Sequence, residues 1–328
     1  MLTALWSGLG RTMAQRWAAW LTSPALVFWI GGLLAWVWAH GGYTGAASGW
    51  QELDRLWKRT FGTPTVVAQA VLVALALLLV AGTARLAEYG TLGVLRVLEG
   101  YWPRWLAPLR NALIAARGRR IDRRAARRRA LALDQSQLLP AERAEYATLT
   151  ARRALVPAAP EDRMPTALGD ILRAAESRPQ HRYGLNAVAC WPSLWLTMPD
   201  QARTEVSRAR GSLDESARLW LWSLLFAVWT PWTWWALAVA LLGMVVGYRM
   251  AVASAITYGQ LFQTCFALYR TEMYQALGWP APPSLTAEHA SGKALTAYLE
   301  RGTVPQRPRR RRPRGARTAG SPGWLRHW

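Results

Sequence analysis

Three long stretches of the chain carry no charged side chain. The first lies between Arg16 and Glu52, with its apolar centre at residues 25–39. Pro24 stands near its start, where a helix tolerates a missing N–H. Residues 17–39 offer enough length for a spanning helix, which needs about 20 residues. The second stretch, residues 65–84, follows Pro64, and its centre at 71–80 holds only Val, Leu and Ala. The third runs from Leu219 to Tyr248, too long for one span and short for two. Pro231 interrupts it inside Thr230-Pro231-Trp232-Thr233-Trp234-Trp235. Proline cannot continue a helix without losing a hydrogen bond. Trp229, Trp232, Trp234 and Trp235 surround it, and Trp favours the membrane–water interface. The pattern predicts a hairpin here, with spans at about 214–230 and 233–253; the rival is one kinked span. Residues 44–48 are small enough to suit a peptidase, but the long basic lead and Trp-rich stretch favour an uncleaved first span.

Charge decides between one span and two. The chain carries 40 Lys+Arg against 19 Asp+Glu, a net +21, while 52% of it is hydrophobic. A disordered basic protein would lack that apolar content. Residues 88–218 and 270–328 each carry a net +8, whereas residues 41–64 carry only +1. The positive-inside rule puts the basic segments in the cytoplasm, which requires an even number of spans between them. The expected architecture is therefore an all-α polytopic membrane protein with four transmembrane helices in two hairpins. Residues 1–23 form a cytoplasmic N-terminus. Hairpin 1 covers 24–87, with spans at 24–40 and 65–84 and an outer loop at 41–64. A basic cytoplasmic helical domain covers 88–213, and hairpin 2 covers 214–253. A helix extension follows at 254–279 and a Pro/Arg-rich disordered tail at 280–328. Scarce Lys beside abundant Arg, Ala, Leu and Trp suggests a bacterial, GC-rich source, hence a plasma-membrane location with both termini inside.

No Asp, Glu, Lys or Arg lies in the centre of a span. Proton relays and voltage sensors need such groups. Gly243, Gly247, Ala251, Ala255 and Gly259 recur every four residues. A small-residue face lets a second backbone approach closely, within the bundle or across a homo-oligomer. The apolar face continues through Phe262, Phe266, Tyr269, Met273 and Leu277 to a stop at Gly278-Trp279-Pro280. One helix over 233–277 follows, matched by a helix that starts at Asp200 and leads into the third stretch.

The cytoplasmic segment reads as helices at 104–133, 140–156 and 167–178. Residues 117–129 hold eight Arg and one acid, Asp122. Arg117, Arg120, Arg124 and Arg128 share a helical face; with Arg309, Arg310, Arg311 and Arg312 in the tail they are candidates for contact with anionic phospholipid. The alternatives are a solvated, orientation-setting surface or nucleic acid, for which no base-reading element is visible. A short helix is expected at 285–300. Asp170, Glu176, Tyr183, Trp191 and Trp195 form either a ligand cluster or a small core in which the Trp191-Pro192 and Tyr183-Gly184 pairs fix turns. Cys190 and Cys265 read as reduced structural thiols. His40, His181, His289 and His327 lack metal-ligand spacing, so no metal or cofactor is predicted.

The block Pro165-Thr166-Ala167-Leu168-Gly169-Asp170-Ile171-Leu172-Arg173-Ala174-Ala175-Glu176 precedes Arg182-Tyr183-Gly184-Leu185 and Cys190-Trp191-Pro192-Ser193-Leu194-Trp195. With Glu99-Gly100-Tyr101-Trp102-Pro103 and Pro140-Ala141-Glu142-Arg143-Ala144-Glu145-Tyr146, it resembles a family of uncharacterised bacterial multi-pass membrane proteins. The family pattern has Arg and Asn where this chain has Ala167 and Asp170. The resemblance covers about 92–200 and implies a membrane-associated helical architecture; it brings no catalytic residue. The expected function is a non-enzymatic membrane-anchored scaffold or sensor that recruits a cytoplasmic protein. The alternatives are an oligomeric channel and, with least support, a membrane-embedded enzyme.

Overall fold

The computed structural model describes residues 24–40, 46–62, 65–133 and 138–302. Among the described residues the secondary structure is helical, with no strand. The helices are α1 (Pro24–His40), α2 (Ala46–Phe61), α3 (Val66–Glu99), α4 (Ala107–Leu133), α5 (Pro140–Ala154), α6 (Ala167–Tyr183), α7 (Ala187–Thr197), α8 (Asp200–Phe226), α9 (Trp234–Ala276) and α10 (Leu285–Arg301). Helix starts follow side-chain caps. Thr65, Thr166, Asn186 and Ser284 accept the N–H of Ala68, Gly169, Val188 and Ala287. Each oxygen satisfies a donor that the helix leaves open. α3 ends at Gly100, where Gly100 and Tyr101 both donate to the Arg96 carbonyl. Its φ of 103° is a left-handed conformation suited to glycine.

α8 and α9 are the axis of the molecule. Pro231 falls in the turn between them, so the break is a hairpin turn and not a kink. α9 runs 43 residues, or about 64 Å at 1.5 Å per residue. The small-residue stripe explains the close crossing. A Cβ on Gly247 would lie 2.9 Å from the Trp220 amide nitrogen, and one on Gly243 would overlap the Ser223 hydroxyl. Ala251 and Ala255 are fully buried, and Gly259 faces Ala175 of α6. The stripe is thus occupied within the chain, by α8 at one end and α6 at the other.

Two core clusters sit beside the lower halves of this hairpin. One joins Leu95 and Leu98 of α3 to Leu168, Ile171 and Leu172 of α6, Leu213 of α8 and Ala251 of α9. The other joins Tyr183, Leu194, Phe262, Phe266, Met273 and Tyr274 to Leu295 of α10. At the opposite end apolar residues point outward: Val27, Leu34, Val71, Leu78, Leu241 and Val245 are all exposed. α3 and α9 each contain a stretch long and apolar enough to cross a membrane, and the α3 stretch is wholly uncovered. α1 is apolar but 17 residues long.

Three expectations change. Residues 46–61, expected in an outer loop, form α2, whose Gly49 packs on the Val37 carbonyl of α1. Trp50, Leu53 and Trp57 repeat at helical spacing, and i,i+3 and i,i+4 ion pairs (Glu52–Arg55, Asp54–Lys58) support the turn-to-turn contacts. The segment around Cys190-Trp191-Pro192 is the helix α7 rather than a turn. Within 280–328, expected as a tail, the short helix expected at 285–300 is α10, and it packs into the core: Leu295 is completely buried; burying one Leu contributes about 1.5–3 kcal/mol. Residues 1–23 and 303–328, with Arg309, Arg310, Arg311 and Arg312, lie outside the described residues.

Candidate functional site

A groove of about 690 Å³ lies where α7 crosses the lower part of α8 and α9. α7 supplies Trp191 and Trp195, α8 supplies Val206, Arg210, Gly211 and Asp214, and α9 supplies Tyr258. Trp191 is held by stacking on Phe262, with ring centroids 4.7 Å apart and planes at 26°, and by a tilted contact with Trp195 at 5.7 Å. Phe262 and Phe266 extend this aromatic bed into the core. The wall is therefore rigid and aromatic on one side.

The polar end is built on α8. Arg210 Nε lies 3.3 Å from Asp214 Oδ1, one helical turn on. That oxygen is nonetheless buried without a hydrogen-bond donor of acceptable geometry. The Arg210 guanidinium sits 6.0 Å from the centre of the Tyr258 ring. Glu99 and Glu176 lie within electrostatic reach of this corner. Burial first, then repulsion from Glu176, hold the Glu99 carboxyl above the usual carboxylate range, against the pull of Arg210 and Arg96. Desolvation raises Glu176 as well, opposed by Arg173. Arg210 and Asp214 are thus the charged pair in the lining of an apolar groove, while Glu99 and Glu176 stand outside it, countered by Arg96 and Arg173. Gly211 has open space where a Cβ would project.

The five residues singled out as a ligand or core cluster separate. Only Trp191 and Trp195 line the groove. Tyr183 is buried in the core, with the Arg270 guanidinium 4.5 Å from its ring centre. Glu176 is exposed and reaches Arg173 at 3.7 Å. Asp170 is 1% exposed and structural: Oδ2 accepts from Arg117 Nη2 at 2.6 Å and Oδ1 from the Met164 amide at 2.8 Å. Arg117 is only partly exposed and spends its charge on Asp170. Arg120 and Arg124 remain exposed on α4, and Arg128 turns into a cleft against α5.

Val206, Arg210, Gly211, Asp214 and Tyr258 are the site residues that the sequence reading missed. Arg210, Asp214 and the intervening Gly211 share one helical side, a visible signal, but one with no partner surface while α7 is read as a turn. Cys190 and Cys265 are free and buried. Burial pushes the Cys190 thiol up to about 11. Among the described residues no group of three His, Cys, Asp or Glu could hold a metal ion. Compared with known protein families, curated proteins and solved structures, the chain matches none.

Proposed function

We propose that the protein is a non-enzymatic integral membrane sensor that binds an apolar amine in the α7–α8–α9 groove. In this reading hairpins α1/α3 and α8/α9 supply four membrane crossings of a bacterial plasma membrane, and the helical domain and both termini are cytoplasmic. The observation that carries it is the continuity of α8 and α9 from the exposed apolar end to the groove. A ligand wedged between α7 and the hairpin acts directly on the helices that enter the lipid. The likeness of the Pro165-to-Trp195 block to bacterial multi-pass proteins is consistent with this. So is the basic surface, which suits anionic headgroups.

The ligand class follows from the lining. A volume of several hundred Å³ with apolar walls suits a small molecule. Trp and Tyr faces attract cations, the Asp214 oxygen lacks a donor, and most of the remaining lining is apolar. An apolar body with an ammonium head satisfies all three. The pore alternative loses its motive, because the small-residue stripe is spent inside the chain. The scaffold alternative, recruitment of a cytoplasmic protein, shares the same domain.

The test is a Trp-fluorescence titration of the detergent-solubilised chain with dodecylamine, dodecanol and dodecyl sulfate below their micellar concentrations. Saturable quenching by the amine is expected, at least about tenfold tighter than by the alcohol. Gly211→Leu fills the groove and should abolish it while keeping the fold. Equal response to all three amphiphiles, or an unaltered response in Gly211→Leu, would remove the proposal.

A further inference from the structure

A second site, remote from the groove, sits where the end of α5 meets α4 and α6. Two clefts adjoin there and share Arg153 and Val156. The narrow one, about 30 Å³, is lined by Arg124 and Arg128 of α4 and Arg152 and Arg153 of α5. The wide one, about 400 Å³, is lined by Arg153, by Ser177, Arg178 and His181 of α6, and by Thr150. Five guanidiniums converge, and none of them is ion-paired with a carboxylate among the described residues. Their neighbours are paired: Arg127 holds Glu145 across the α4–α5 hairpin, Arg163 holds Asp122, and Arg173 holds Asp162. Glu145, Asp122 and Asp162 are thus already committed to other arginines.

A structural role accounts for part of the arrangement. Arg153 donates to the Val156, Pro157 and Ala158 carbonyls, and Arg178 donates to Ala154 O and Gln263 Oε1. They cap the carbonyl end of α5. That end is equivalent to only about half a negative charge, against five positive ones. The donor count also leaves a remainder. Of five N–H groups on each guanidinium, two on Arg153 and three on Arg178 have no acceptor among the described residues. Arg128 Nε is buried with no hydrogen-bond partner among the described residues. Burial first, then the neighbouring Arg153 and Arg182, hold the Arg178 guanidinium below its usual range, the direction that desolvation and like charge both give.

We infer that the wide cleft is a binding site for a phosphate group, gripped by Arg153 and Arg178 with Ser177 and His181 beside it. Arg124, Arg128 and Arg152 raise the positive potential from the adjoining cleft. A phosphate suits the place because its three or four oxygens accept several N–H groups at once, and because guanidinium forks match it geometrically. The caps fix both guanidiniums before the ligand arrives, so little rotamer freedom is lost on binding. The phosphate belongs either to a lipid headgroup or to a free soluble anion. The site does not depend on the amine groove, since the two share no lining residue.

The experiment uses the full chain in neutral detergent. Its thermal midpoint is followed against inorganic phosphate, with chloride at equal ionic strength as control. Retention of phosphatidic acid against phosphatidylcholine is followed by native mass spectrometry. A saturable rise with phosphate, absent with chloride, or selective retention of phosphatidic acid supports the site, and which of the two occurs identifies the source. Arg153→Gln should weaken binding by at least about tenfold. Should that variant fail to fold, Arg128→Gln with Arg152→Gln removes two charges without touching a cap and should weaken binding several-fold. Arg119→Gln with Arg123→Gln removes equal charge elsewhere on α4 and should change it by less than twofold. No saturable response to either probe, or an equal loss in the Arg119/Arg123 control, overturns the inference.

Discussion

Replacing Asp170 by Ala should destabilise the protein through a mechanism unrelated to ligand binding. Asp170 is 1% exposed and holds two donors from distant elements, Arg117 of α4 and the Met164 amide before α6. Removing the carboxylate leaves a partly buried guanidinium without its counter-charge and a buried N–H without an acceptor. Breaking a buried pair in this way costs about 3–5 kcal/mol. The Arg117 side chain is 32% exposed, so water recovers some of that, and about 3 kcal/mol is the better figure. At roughly 2–4 °C per kcal/mol for a chain of this size, the midpoint should fall by roughly 6–12 °C. Asp170→Asn keeps an acceptor for Met164 and should cost about half as much. Arg117→Leu combined with Asp170→Leu removes both charges and should lie at least ~1 kcal/mol above Asp170→Ala in stability. Thermal unfolding in detergent, followed by circular dichroism, reads all three. A fall below about 2 °C for Asp170→Ala, or strict additivity in the double variant, refutes the pair as an organising contact.

Three further outcomes follow from the packing and the topology. Gly247→Val forces a branched side chain onto the Trp220 backbone; overpacking costs about 1–3 kcal/mol, and a lower thermal midpoint should accompany it, whereas Gly82→Val, with open space around it, should have little effect. Cys190, with its thiol raised to about 11, should resist iodoacetamide in the folded protein at pH 7.5 and react fully after denaturation. Its thiolate fraction grows about tenfold per pH unit up to that value, and rapid native labelling read by mass spectrometry would contradict the assigned burial. Under the proposed topology, reporter fusions should read external after Trp232 and internal after Val156; an internal signal after Trp232 would refute the proposed crossing of α8 and α9.

Much of the fold was legible because strong periodicity and proline stops act locally. The expected helix at 233–277 is α9, Trp234–Ala276, and the expected 285–300 helix is α10, Leu285–Arg301. The turn at Pro231 was readable for the same reason. What escaped depends on surfaces that meet only after folding. α2 looked like a connector because its charges masked the Trp50, Leu53 and Trp57 spacing. α7 looked like a turn because of Pro192, and without it the Arg210, Gly211 and Asp214 side of α8 had nothing to face. The Arg117–Asp170 pair joins positions 53 apart, so a helical wheel drawn for α4 alone gives no sign of it.

The core that contains Tyr183 and Leu194 is closed by Leu295, yet the apolar tip of the α8–α9 hairpin lies between them in the chain. Gly184 packs directly on the His289 carbonyl of α10, and Asn186 donates to Thr296. The helical domain is thus discontinuous in sequence, interrupted by the apolar hairpin. During synthesis, residues 160–200 emerge well before the helix that completes their core. They must wait, with aromatic surface uncovered, until the hairpin has found its place and α10 has followed. A stop codon before residue 285 would therefore leave every long apolar helix in the chain while stranding the domain half-built, a species prone to aggregation.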